Sequence, residues 1–139
     1  MGFRYSRRVH FADTDLVGIV HFSRFFRYME EAEHALWRAA GLAIVPGPDE
    51  AGWPKVSAKF DYKSPLRFEE EFDVDVDIAD VTRRTIRYSF AMTRAGALVG
   101  TGTLTAVCAR WREGGLQVIE VPHEIVRRLR TAIAESPQP

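Results

Sequence analysis

Cysteine is almost missing from this chain of 139 residues. Cys108 stands alone, so no internal disulfide is possible and a reducing compartment is expected. Because it sits in an apolar stretch, Cys108 reads as a small buried hydrophobe, not a nucleophile. An excess of either charge is missing too: 19 Lys and Arg face 19 Asp and Glu. That balance removes any global attraction to nucleic acid or to an anionic membrane, leaving only local basic clusters to meet a small polyanion. Long apolar runs are absent as well. No stretch approaches the roughly 20 residues of a membrane span, and Met1–Tyr5 lacks the greasy core of a signal peptide. A cytoplasmic protein with no membrane or nucleic-acid partner is the expectation. Repeats, low-complexity tracts and linkers are not seen. The length suits one domain, set here at 1–135, with 136–139 as a disordered tail.

What is present is periodicity. Tyr5 to Phe11 reads as a strand, followed by a turn-like stretch from Ala12 to Gly18. From Ser23 to Ala40 the period is helical: Phe22, Phe25, Phe26, Met29, Ala32, Leu36 and Ala40 recur at helical spacing. Ser23 suits the N-cap and Gly41 the stop. Ala35, Trp37 and Ala39 widen the apolar arc, as in a helix wrapped by other elements. Pro46 to Gly52 reads as a surface loop. Lys55 to Tyr62 reads as a strand. Phe72, Val74, Val76 and Ile78 then alternate with aspartates, and Ile86, Tyr88, Phe90 and Met92 alternate with small or polar residues, two half-buried strands. A turn at Ala95–Ala97 leads to a long strand from Leu98 to Arg112. After Gly114 and Gly115 comes a short strand around Val118 to Val121, and Pro122 suits the first turn of a closing helix. One sheet with one long helix to cover predicts an α+β arrangement in which the antiparallel sheet curls around that helix.

The segment most informative about chemistry joins the first strand to the helix. It carries Asp13, Thr14, Asp15, Gly18, Ile19, Val20, His21 and Phe22. Physical chemistry allows three readings of two carboxylates two residues apart. They can be turn residues satisfying backbone amides. They can be part of a metal site, although no further His or carboxylate cluster completes a shell. Or one can be a catalytic carboxylate beside a helix N-terminus, whose free amides stabilise developing negative charge.

This segment resembles the active-site signature of the 4-hydroxybenzoyl-CoA thioesterase family of hotdog proteins. The likeness runs through Asp13-Thr14-Asp15, Gly18-Ile19-Val20 and Phe25-Phe26-Arg27-Tyr28-Met29, and includes Ser64-Pro65 and Val121-Pro122. Gly18 to Phe22 is also similar to the variant found in 1,4-dihydroxy-2-naphthoyl-CoA thioesterases. The resemblance implies a hotdog fold and hydrolysis of an acyl-CoA to acid and CoA, with no metal or other cofactor. Asp15 would be nucleophile or general base, and the backbone N–H of Phe22 would polarise the thioester carbonyl. His21 stands where other members have an aromatic residue and would either orient water or the acyl group or be a satisfied structural histidine. Gly18 would let the backbone approach substrate, and Glu30 would accept a hydrogen bond from a hydroxyaryl group or, beside Glu31 and Glu33, be a solvated helix glutamate. Arg83, Arg84 and Thr85 resemble the basic run that meets the CoA nucleotide, and read equally as a solvated hairpin end. Asp13 reads as a turn former. A homodimer or homotetramer is implied. The rival functions are a hotdog hydratase, which would draft His21 and Asp15 as its acid and base, and a non-catalytic acyl-CoA sensor.

Overall fold

The computed structural model describes residues 2–48 and 50–137; Asp49 of the expected surface loop, and Gln138 and Pro139 of the expected tail, lie outside the described residues. Strand β1 (Phe3–Arg8) leads through a 3-10 turn (Phe11–Asp13) into helix α1 (Arg24–Ala39). Strands β2 (Lys55–Tyr62), β3 (Glu71–Val81), β4 (Thr85–Arg94), β5 (Ala97–Val107), β6 (Ala109–Arg112) and β7 (Gly115–Val118) follow, then helix α2 (His123–Ala134). β1 to β5 form one antiparallel sheet in the order β1-β3-β4-β5-β2, so the first strand and β2 are its edges.

Alternation explains which face of the sheet is inside. Phe72, Val74 and Val76 of β3 are buried, as are Ile86, Tyr88, Phe90 and Met92 of β4. The intervening aspartates face outward, where Arg4 of β1 forks onto Asp75 at 2.9 and 3.0 Å. Helix α1 lays Phe25, Tyr28, Met29, Ala32 and Leu36 on the inner face; steps of three and four keep them on one side. α2 adds Leu129, Ala132 and Ile133 to the same core.

Several boundaries differ from expectation. β1 begins and ends earlier than Tyr5–Phe11, because the chain turns at Phe11 toward the helix. The long strand from Leu98 to Arg112 divides at Cys108. Val107 pairs with Thr85, the first residue of β4, so the chain runs out of partners there. Cys108 instead donates to Arg84 O at 2.9 Å, and β6 leaves to pair with β7. The short strand itself spans Gly115–Val118, ahead of the Val118–Val121 expected. Ser23 forms no side-chain cap because its backbone is already helical, and Pro122 occupies the cap of α2 instead of its first turn. At the other end of α1, Gly41 adopts φ +73, with Gly41 N–H bound to Arg38 O and Leu42 N–H to Trp37 O. This paired closure is a Schellman stop. Ser136 is buried at the end of α2.

Candidate active site

The hairpin that carries Asp15 is built by its own backbone. Thr14 bridges Val20, Asp15 N–H donates to Ile19 O at 2.9 Å, and Gly18 N–H returns to Asp15 O at 3.0 Å. Gly18 reaches φ +92, a conformation costly for any residue with a Cβ. Val20 N–H bonds Leu66 O at 2.8 Å and anchors the hairpin to the loop before β3. Within this frame the Asp15 carboxylate bends over its own turn. Oδ1 accepts from Val17 N–H at 2.9 Å and from Ile19 N–H at 3.4 Å. Among the described residues Oδ2 accepts no hydrogen bond, and the side chain is half-buried. One oxygen fixes the group against its own turn.

The helix start lies directly after. His21 N–H donates to Asp13 O at 2.8 Å, and Arg24 N–H to His21 O at 2.9 Å. Phe22 O accepts from the Tyr62 hydroxyl at 2.8 Å. Phe22 N–H, between these bonded neighbours, has no acceptor among the described residues. A free amide at the entrance of a helix carries the positive end of the dipole and suits an incoming oxygen. The Phe22 ring is 65% exposed, so it stands outside the core stripe that its spacing suggested; α1 begins two residues later.

His21 is exposed. Its Nδ1 lies 2.8 Å from Ser23 Oγ and accepts from Ser23 N–H at 3.3 Å. With Nδ1 acting as acceptor, the neutral ring carries its proton on Nε2. The imidazole thus holds the hydroxyl and backbone of Ser23, the N-cap residue of α1.

The two aspartates of the motif do different things. Asp13 is buried, and its Oδ2 accepts from Arg7 Nη1 at 2.6 Å, Tyr28 hydroxyl at 2.9 Å and His10 N–H at 3.0 Å. Arg7 continues to Glu31, donating from Nε at 2.9 Å, and its guanidinium lies 4.7 Å from the centre of the Tyr28 ring. Burial favours the neutral acid of Asp13, but the bonds from His10, Tyr28 and Arg7 outweigh it and hold the carboxyl below its usual range. Burial, then the Asp13 bond, pushes the Tyr28 hydroxyl far above the phenol range, so it remains a donor. The turn-former reading of Asp13 holds for its backbone but misses this ionic network. Spacing gave one hint: Tyr5 and Arg7 share a face of β1, as Tyr28 and Glu31 share a face of α1. The Asp13 carboxylate thus meets a cation and two neutral donors, all at Oδ2. Among the described residues no three His, Cys, Asp or Glu side chains gather as a metal site.

Other candidates lie farther away. Glu30, exposed on α1, lines a cavity of about 190 Å³ with Glu33, His34, Trp37, Trp53 and Lys55, none of them from the Asp15 hairpin. Arg83, Arg84 and Thr85 form the β3–β4 turn. Its ladder closes by Thr82 N–H to Thr85 O at 3.0 Å, and the two threonine hydroxyls meet at 2.6 Å. Arg83 pairs with Glu120 at 2.7 Å, while the exposed Arg84 side chain has no partner among the described residues. This turn sits at the far end of β3 from the Asp15 hairpin, roughly 30 Å away at the usual strand rise. A single chain therefore brings Asp15, Gly18, His21 and Phe22 together, but not Glu30 or the basic turn.

Comparison with known proteins places the chain in a family. The sequence matches the thioesterase-like superfamily over residues 9–129. An Aquifex aeolicus (strain VF5) protein named as an esterase is 32% identical over 132 residues, covering 94% of this chain and 99% of its own. A 1,4-dihydroxy-2-naphthoyl-CoA thioesterase from Synechocystis superposes with TM-score 0.82 over all of both chains at 22% identity. A 4-hydroxybenzoyl-CoA thioesterase, as an Asp-to-Asn variant bound to 4-hydroxybenzoyl-CoA, superposes with TM-score 0.82 at 20% identity, covering 92% of this chain and 98% of its own. These two likenesses show the fold: the curled sheet around α1 is a hotdog. With most of its length matched and its architecture shared, the chain belongs to the thioesterase-like superfamily of hotdog proteins.

Proposed function

We propose that this protein hydrolyses an aromatic or short-chain acyl-CoA to the free acid and CoA. The observation that carries the reading is two groups of one segment that lack a hydrogen-bond partner among the described residues: Asp15 Oδ2 and the Phe22 N–H at the helix entrance. Placed at that amide, the thioester oxygen gains negative charge where a donor and the helix dipole stabilise it. Asp15 then acts in one of two ways. Oδ2 attacks the carbonyl carbon, expelling CoA thiolate and leaving a mixed anhydride that water hydrolyses, or it takes the proton of a water that attacks directly. The exposed Leu16, Val17 and Phe22 give the acyl group an apolar wall beside the carboxylate. His21 Nε2–H serves to orient water or the acyl group.

The remaining assignments require a second copy. β2 is an edge strand with Val56 63% exposed and Ala58 exposed beside it, a face suited to pairing with its own copy across a two-fold axis. In such a homodimer, or a tetramer built from it, Glu30 and the Arg83–Thr85 turn of one subunit serve the Asp15 of the other. The Arg83–Glu120 pair is exposed on both sides and yields to a phosphate at little cost. The reaction draws on no metal or cofactor and is assigned to the cytoplasm; turnover abolished by EDTA, or found only with membranes, would count against these points. No helix among the described residues is long and apolar enough to cross a membrane.

The test is release of CoA thiol from a panel of aromatic and aliphatic acyl-CoAs, with variants alongside. Asp15→Asn should lower kcat by about 10²-fold or more, the scale expected of a lost base or nucleophile. Arg84→Ala should raise KM in a salt-dependent way, and Glu30→Ala should erase preference for hydroxyaryl over plain aryl substrates. Binding of acyl-CoA without turnover would instead identify a sensor, and hydration of an enoyl-CoA a hydratase.

A further inference from the structure

The Asp13 network has a place in the fold that core packing alone does not require. Its carboxylate joins three segments at one oxygen: β1 through Arg7, the 3-10 turn through His10 N–H, and α1 through the Tyr28 hydroxyl. Its backbone serves the same purpose. Asp13 N–H closes the 3-10 turn onto His10 O at 3.0 Å, and Asp13 O receives His21 N–H at 2.8 Å. The residue that follows His21 is Phe22, and the residue two beyond Asp13 is Asp15. The carboxylate and the helix-entrance amide therefore both branch from a single anchored residue. Arg7 is itself held from the opposite side by Glu31 Oε1, which also accepts from the Tyr5 hydroxyl at 2.9 Å. Both partners are nearly enclosed, with 11% of the Arg7 side chain and 7% of the Asp13 side chain exposed. A joint that is buried, charged and tied to three segments permits little rocking of the hairpin against the helix.

We propose that Asp13, clamped by Arg7 and Tyr28, is a positioning residue that sets the Asp15 carboxylate against the Phe22 amide. It touches no reacting atom and acts only through those two groups. The inference rests on the thioesterase reading above. Reaction between groups held in place is steeply sensitive to small displacements, so loosening this joint should lower kcat while leaving KM for the acyl-CoA nearly unchanged.

The experiment compares Asp13→Asn, Tyr28→Phe and Asp15→Asn with the unaltered protein, measuring kcat, KM and the melting temperature of each. Val74→Ala, in the core of β3 and away from the joint, serves as a control for lost stability. Tyr28→Phe deletes a single hydroxyl and keeps the ring, so it remains informative if Asp13→Asn does not fold. The expected result, well below every melting temperature, is a fall in kcat of about tenfold or more for both joint variants. KM should change less than twofold, and Val74→Ala should melt earlier with kcat intact. Joint variants that melt earlier but keep the original kcat would overturn the inference and leave Asp13 as a stability element only. Turnover that depends on Asp15 but not on Asp13 or Tyr28 defeats this inference alone; no turnover in the unaltered protein defeats the thioesterase reading with it.

Discussion

At the scale of single residues, two aspartates of one short motif divide the work by burial. Asp15 is half-buried and keeps an oxygen free of hydrogen bonds among the described residues, whereas Asp13 spends its charge inside the fold on Arg7. The folded environment holds the Asp13 carboxyl below its ordinary value of 3.8. A group whose acidity rises on folding stabilises the protein above its unfolded value, and the contribution disappears as pH falls through the folded value. Asp13→Asn should therefore cost about 2–3 kcal/mol at pH 7, the scale of a broken, largely buried charge pair. The cost should shrink as the pH drops below about 4. Denaturant titrations of both proteins at pH 7 and pH 3 measure this, and an equal cost at the two would show that charge is not what Asp13 contributes.

At the scale of elements, the approach of β2 and α1 to β5 depends on residues with no side chain. A Cβ on Gly102 would lie 2.6 Å from Met29 Sδ and 2.7 Å from Lys59 O. One on Gly100 would lie 2.5 Å from the Phe60 ring and 2.6 Å from Asp61 O. The methionine can swing aside, but the carbonyls belong to β2 and move only with the strand. Gly102→Ala is expected to destabilise the fold by about 1–3 kcal/mol, several degrees in Tm for a domain of this size. A melt unchanged from the parent would mean that β2 yields freely. Because Tyr62, at the end of β2, holds Phe22 O, a shift of that strand would also reach the helix entrance.

At the scale of the molecule, the described chain leaves its proposed machinery divided. The Asp15 hairpin and the Arg83–Thr85 turn occupy opposite ends of the sheet, and β2 offers an open edge. Pairing of two β2 edges is expected to reunite them. Val56→Glu should then give monomers by sedimentation velocity, with activity lost along with the dimer. A parent protein that sediments as an active monomer would remove the second copy from the account.

Much of this was legible in the order of residues. The alternation in β3 and β4, the core face of α1 and the Gly41 stop are local consequences of period and backbone preference, and each is found within a residue or two of its expected place. The Asp15 turn is local as well: its carboxylate is held by amides two and four residues on, although spacing left three readings of it open and only the family resemblance singled it out. What depended on distant partners was not legible. The chain alone determined which segments become strand or helix. Only the tertiary structure decided that Asp13 is buried against Arg7 and Tyr28, that the strand after Cys108 leaves the sheet, and that the basic turn lies far from Asp15. Those outcomes follow from pairing and burial between elements far apart in sequence, where hydrogen-bond partners and local dielectric are settled by packing.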